Sequence, residues 1–304
     1  MPNSTGGIFQ TLVAAATDAS AILRFQNAFA ESIYWDYQPI NAGHYQSLNV
    51  IVPTVDEANV IDAGGGPYQP ADTVHSNFSI TLDKDFTNSF IIRNWDEIRS
   101  APHLRDAYIQ PKLEEVLRKV NRSIATLVTT TNFPTYTLIS GATDDVFDRA
   151  NLATAWKNLA GAGAPVGDVE NMFFVTNPTA YSGMLASTNW IQESIVGINA
   201  AQVAQQNARL SIQLGAQVKW DQHIAGFTAN KQPGILMHRY AIAGVTVNPI
   251  SNAEFKTIVF PKPNIPVMIE MGYSLKDRGW VVGMSCQWGV KVARPELGSL
   301  VETA

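Results

Sequence analysis

The strongest constraint on the fold lies near the C-terminus. Ile265, Val267, Ile269 and Met271 fall at every second position, and Lys276-Asp277-Arg278-Gly279 then reads as a turn. Beyond it Trp280, Val282, Met284, Cys286, Trp288, Val290 and Val292 alternate with Val281, Gly283, Ser285, Gln287, Gly289 and Lys291. Side chains of a strand point alternately to its two faces. The pattern therefore predicts a long antiparallel hairpin with one apolar face.

A helical period governs residues 100–130. Leu104, Tyr108, Leu113, Val116, Leu117, Val120, Ile124, Leu127 and Val128 form one apolar face. Ser100 is a candidate cap and Pro102 suits a first turn. Glu114 with Arg118 and Glu115 with Lys119 are i,i+4 pairs in the favourable order. Pro111 predicts a kink or a fresh helix start. A second helical pattern runs through residues 8–33 on Ile8, Leu12, Ala15, Ile22, Phe25, Phe29 and Ile33. Its charges are few, so it needs something to lie against.

Between these helices, residues 46–92 carry strand signals. Leu48, Val50 and Val52 precede Pro53; Phe78, Ile80 and Leu82 alternate with Ser79 and Thr81; Phe86, Phe90 and Ile92 follow. They flank a turn-rich tip at Gly64-Gly65-Gly66-Pro67. A two-stranded excursion has little core of its own, so it is expected to lie on a neighbouring molecule. Residues 141–250 alternate helix and strand. A helix near 150–160 ends at Gly161-Ala162-Gly163, and Met172 to Val175 is a strand. Asn177-Pro178 opens a helix reaching Ala186, residues 199–213 read as helical, and Ala216–Trp220 and Ile235–Met237 read as strands.

Chemistry is hard to find in this sequence. The net charge of −5, with no strongly basic segment, argues against a protein that grips nucleic acid through phosphates. One cysteine, Cys286, permits no intrachain disulfide, and its place on the apolar face of the last hairpin makes it a core residue. No secretory signal and no apolar stretch of membrane-spanning length is expected. Gly64-Gly65-Gly66 lacks the Lys-Ser/Thr of a phosphate loop. Among His44, His75, His103, His223 and His238 no pair has zinc-ligand spacing. Asp221 and His223 alternate and admit a shared metal, although a surface pair is the better reading; His238 reads as a satisfied buried histidine. Asp144-Asp145 reads as a capping loop. Trp156, Trp190, Trp220, Trp280 and Trp288 read as core or interface anchors. No catalytic residue, cofactor or metal site is expected.

The order of elements resembles the major capsid proteins of tailed double-stranded-DNA bacteriophages, with the Hong Kong ninety-seven-like fold. Residues 78–99, FSITLDKDFTNSFIIRNWDEIR, and 108–127, YIQPKLEEVLRKVNRSIATL, look like the returning loop strand and spine helix of the podophage coat-protein subgroup. FFVTNPTAYSGMLAS is similar to that family's strand–Asn-Pro–helix segment, GILMHRYAIAGV to a later strand and helix, and GYSLKDRGWVVGMSCQWGVKVARPELG to its closing hairpin and Arg294-Pro295-Glu296 tail. The resemblance covers most of residues 40–300. It departs from relatives with an insertion domain, for which this chain has no room.

The resemblance implies an α+β chain: an N-terminal arm (1–40), an extended β-hairpin loop (41–92), a peripheral domain with spine helix and closing hairpin (93–140 and 235–304), and an axial domain (141–234). Leu113, Val116, Leu117, Val120 and Ile124 are the expected spine-helix core. Leu48, Val50, Val52, Tyr68, Phe78, Ile80, Phe25 and Phe29 are the expected intersubunit contacts. The implied function is self-assembly, in pentamers and hexamers, of an icosahedral virion shell enclosing the genome without sequence-specific binding. Implied partners are a portal, a separate scaffolding protein or none, and a decoration protein; no membrane is implied. Assembly would take place in the host bacterial cytoplasm. Two alternatives stay open: an encapsulin-type compartment, and a cytosolic α+β enzyme with an unrecognised site.

Overall fold

The computed structural model describes residues 10, 13–14, 16, 27–35, 40–41, 47–53, 75–93, 108–134, 136–138, 147, 149–187, 190, 210, 212–227, 231–248, 255–260 and 264–303. The expected features at Phe25, His44, residues 54–74 of the expected 54–76 tip with Tyr68, Ser100, Pro102, His103, Leu104 and Asp144-Asp145 lie outside them.

The alternating C-terminal segment forms β12 (Pro266–Ser274) and β13 (Gly279–Val292), paired antiparallel from Ser274 with Gly279 to Met268 with Ser285. Arg278 takes the left-handed conformation that the turn requires, φ 51°. Three strands share β13. Strand β4 (Lys84–Arg93) pairs with residues 279–288, β12 with 279–285, and β10 (Ile242–Asn248) with 288–292. Since β4 and β12 pair with the same residues, they flank β13 on opposite sides. Trp288 pairs with both β4 and β10, so β10 lies on the β12 side, end to end with it. Cys286 and Gln287 fall in the gap between those two strands. Strands β11 (Phe255–Val259) and β1 (Ile40–Asn41) complete the six-stranded sheet.

One short helix and one long helix pack around this framework. Helix α1 is Ala28–Ser32 and α2 is Gln110–Ala125. Pro111 sits in the first turn of α2, which follows directly on the π-helical residues Tyr108 and Ile109. Leu113, Val116, Leu117, Val120 and Ile124 are all fully buried. Trp288 Nε1 donates to Ser123 Oγ at 2.8 Å, fastening α2 to β13. Arg118 binds Glu115, three residues back, and Lys119 Nζ lies 5.8 Å from the Phe86 ring centre.

A second six-stranded sheet has the order β5 (Tyr136–Leu138), β14 (Gly298–Glu302), β9 (Pro233–His238), β6 (Met172–Thr176), β8 (Ala216–Trp220), β7 (Ile212–Gln213). Every residue of β6, β9 and β14 is buried, including the polar Thr176, His238, Ser299 and Glu302, which places these strands at the centre of a covered sheet. Helix α3 (Arg149–Gly161) packs on β14 and β9, and the short helix α4 (Pro178–Ala186) packs on β8. Asn177 caps α4 by accepting from Ala180 N–H at 2.9 Å.

Three sequence expectations change. Residues 234–245 are not a strand and helix: β9 leads through a single 3-10 turn, Arg239–Ala241, into β10. Ile212 and Gln213 form a strand rather than the end of a helix. The 8–33 pattern is not one continuous helix, because Asn27 (φ −103°, ψ 64°) is outside helical geometry before α1. The sheets also cut across the expected division at 234/235. Strand β9 straddles that boundary, and β14 lies in the second sheet although its residues fall within the 235–304 segment.

The sheets are joined by two short crossings, residues 239–241 and 293–297. Ala293 and Arg294 N–H both donate to the Ala241 carbonyl, at 2.9 and 3.2 Å. A separate hairpin of β2 (Ser47–Pro53) and β3 (His75–Thr81) runs from Ser47 paired with Thr81 to Pro53 paired with His75.

Candidate intersubunit surfaces

The base of the β2–β3 hairpin is held by its own subunit. Ile80 is fully buried against Ala243 and Val245 of β10, with Leu48, Phe78, Leu82 and Ala293 around it. Lys291 Nζ donates to the Ser79 carbonyl at 3.0 Å. A Cβ on Gly289 would meet the Thr81 carbonyl, so glycine there lets β3 lie directly on β13. Ile80 therefore leaves no surface for a neighbour to cover, which corrects its expected role. Leu48 and Phe78 are half-buried. Val50 and Val52 stand opposite Phe78 and Ser76 in the register.

Phe29 is corrected in the same way: it is 0% exposed within its own chain. Helix α1 has five residues and no side-chain cap from Asn27. Its first N–H groups are satisfied from elsewhere. Asn121 Oδ1, on α2, accepts from Ala30 N–H at 3.1 Å. Asp221, just after β8, accepts from Asn121 Nδ2 at 2.6 Å and from His223 N–H at 2.8 Å, and also from the Phe29 backbone. Lys219 Nζ reaches Glu31 Oε2 at 3.3 Å. Beyond α1, Tyr34 bridges to Ala243 and the Trp35 ring fills the space over Gly244. Residues 27–35 are thus part of the subunit core.

Asp221 is then neither a surface partner of His223 nor a metal ligand set with it. Its carboxylate is fully buried and accepts three hydrogen bonds. Burial raises its pKa, and the bonds from Asn121 and the two backbone N–H groups oppose the rise. His238 is buried but only half-satisfied. Nδ1 accepts from Tyr240 N–H at 3.3 Å, which places the neutral ring's proton on Nε2, and Nε2 stands 3.5 Å from Asp168 Oδ2 without a good hydrogen bond. Burial lowers its pKa, against the pull of Asp168. Cys286 is buried, and burial pushes its thiol up to about 12, which disfavours the thiolate. Among the described residues no three His, Cys, Asp or Glu side chains are grouped to hold a metal. No described helix is long and apolar enough to cross a membrane.

What the surface does offer is apolar side chains. Leu275, at the tip of the β12–β13 hairpin, is 84% exposed; Tyr273, Ile91 and Val259 are exposed on the same sheet, Ile212 on the second sheet, and Trp156 on helix α3. A cavity of about 240 Å³ opens where β10 and β12 meet, lined by Asp85, Val247, Pro266, Met268, Ser285, Cys286 and Gln287. Leu275 and this cavity were not singled out in the sequence. A leucine next to Lys276-Asp277-Arg278 carries no sign of exposure, and the cavity depends on where three strands end.

By sequence the chain matches no family model, and no curated protein matches it. Solved structures match its fold end to end. The capsid of cyanophage P-SCSP1u is 15% identical with TM-score 0.64, over 93% of this chain and 90% of that one. A structure from Mycobacterium phage Che8 is 16% identical with TM-score 0.60, over 91% of each chain. A virus-like particle from Pyrococcus furiosus is 13% identical with TM-score 0.53, over 97% of this chain and 99% of that one. The chain therefore has the mixed α and β fold found in capsid shells.

Proposed function

We propose that this protein is the major capsid protein of a tailed DNA bacteriophage, a structural subunit and not an enzyme. The observation that carries the reading is the end-to-end fold match to the cyanophage P-SCSP1u capsid, over 93% of this chain and 90% of that one. The order of motifs in the sequence supports the podophage coat-protein subgroup and the Hong Kong ninety-seven-like arrangement. In that arrangement α2 is the spine helix, the first sheet belongs to a peripheral domain, and residues 141–234 with β9 and β14 form the axial domain. Subunits assemble as pentamers and hexamers into an icosahedral virion shell in the host cytoplasm. A portal, a scaffolding protein and a decoration protein are the proposed partners. Subunits join by burying apolar surface between copies, each contact modest and symmetry multiplying it. Leu48, Val50, Val52, Tyr68, Phe78 and Phe25 remain the proposed contact residues. With a net charge of −5, the wall encloses DNA without gripping it.

A second reading, an encapsulin-type compartment, is favoured by the fold match to the Pyrococcus furiosus virus-like particle. Electron microscopy of the expressed protein tests both. Closed icosahedral shells are expected, and a protein that stays monomeric at every concentration overturns the shell role. Particles recovered from infected cells with nuclease-protected DNA support the phage reading; a packaged enzyme supports the compartment.

A further inference from the structure

We propose that the tip of the β12–β13 hairpin seats in the cavity at the β10–β12 gap of a second copy of this chain, Leu275 entering it and Lys276 and Arg278 lying against Asp85. The proposal rests on the shell reading and names one contact that builds the shell.

The tip is built as a rigid knob. Leu275, at 84%, is the most exposed of the large apolar side chains described. Behind it Ser274 Oγ donates to Asp277 Oδ2 at 2.7 Å and accepts from Asp277 N–H at 3.3 Å. The rings of Tyr273 and Trp280 meet edge to face at 5.2 Å across the two strands. With Asp277 held by Ser274, Lys276 and Arg278 stand exposed on either side of it. The knob is an aliphatic side chain flanked by positive charge.

The cavity has the complementary character. Val247, Pro266 and Cys286 are its buried apolar lining, Met268 and Ser285 are half-buried, and Asp85 and Gln287 are exposed at its mouth. It exists because residues 286 and 287 of β13 have no partner between β10 and β12. At about 240 Å³ it admits one aliphatic side chain with room left over. The chain's own tip does not reach it. Cys286 lies seven residues along β13 from Gly279, about 24 Å at strand rise. A hairpin tip that fills it comes from another copy. A knob and a hole at different places on one chain make a heterologous contact, the kind that closes rings or propagates a lattice.

Two variants test this in the full chain. Leu275→Asp is expected to lower the yield of shells roughly tenfold or more, as loss of a central anchor does, and to leave the melting of the unassembled subunit unchanged, because the side chain is exposed. Wild-type shells with undiminished Leu275→Asp yield overturn the knob and leave the shell reading intact; a wild-type protein that never assembles overturns both. Leu275→Cys combined with Gln287→Cys is expected to give, on mild oxidation of assembled protein, a ladder of trimers and higher species on a non-reducing gel. If the double variant assembles but forms no ladder, or if Leu275→Cys alone stops at disulfide dimers and the double variant goes no further, tips meet tips or nothing, and the proposal fails.

Discussion

The two hairpins of this chain are written in the same sequence code and are held in different ways. In β12–β13, β13 runs for 14 residues with a strand on each side, and its apolar face lies under α2. In β2–β3, two strands of seven residues pair only with each other among the described residues. Among the described side chains, the base at Ile80 reaches a core, and that core is a small cluster separate from the main one. Alternation announces that one face of a strand will be covered. It does not say by what. A hairpin that gains two flanking strands becomes the centre of a domain. One that gains none is marginal alone and must lean on something else, whether its own subunit at the base or a neighbour further out.

The comparison breaks first at β13. Val282 is fully buried on its apolar face. An aspartate there leaves a carboxylate without partners, a cost of about 4 kcal/mol or more. Val282→Asp is expected to yield no cooperatively melting subunit, whereas Phe78→Asp, on the half-buried face of β3, should still melt cooperatively by circular dichroism. A folded Val282→Asp protein would place both hairpins on the same footing.

A smaller effect is expected at the hairpin base. Ile80→Ala removes buried methyl groups worth about 2–4 kcal/mol, but the loss should be local. Amide hydrogen exchange should speed up across 75–81 and stay slow across 279–292. Equal acceleration in both would show that β2–β3 is part of the main cooperative unit.

Removing residues 54–74 and closing Pro53 to His75 with a two-residue turn should be smaller still for the subunit, within about 1 kcal/mol, since loop length changes closure entropy slowly. Under the proposed function it should nevertheless impair closed shells in micrographs. Wild-type shell yield would remove the hairpin from assembly.

The smallest expected effect is none. In the family that the sequence resembles, some shells are welded by a lysine on the extended loop, but residues 46–83 hold no lysine. Lys84 sits in β4 with its ammonium 2.9 Å from Asp83 Oδ1. Boiling mature particles in detergent should give a single band near 33.1 kDa, and Lys84→Arg should leave it so. A ladder would make the outer hairpin covalently held and Lys84 the first residue to test.

Much of the first sheet was legible before the structure. The period of two over 265–292, the helical face from Leu113 to Ile124 and the Asn177-Pro178 cap are each fixed within a few residues of chain, where strand pleat, helix pitch and capping act. The helix expected within residues 234–245 came from the family resemblance and not from a period in the residues, and the structure has a 3-10 turn and the start of β10 there. Assembly residues were legible only as apolar character. Phe29 and Ile80 have the right chemistry for an interface and are covered from within, while Leu275 looked ordinary and stands out in solvent.

Helix α1 marks the limit of what the sequence decides. By itself the sequence determined the elements whose hydrogen bonds and apolar periods are local: α2, the β12–β13 hairpin, the capped α4. A helix of five residues is too short to stand alone, and Asn27 does not cap it. Its N–H groups find Asn121, 91 residues away from Ala30, and Asp221, 100 residues further along from Asn121. Only the tertiary structure could bring those acceptors together, because a buried hydrogen bond depends on distance in space and leaves no spacing in the sequence by which to recognise it.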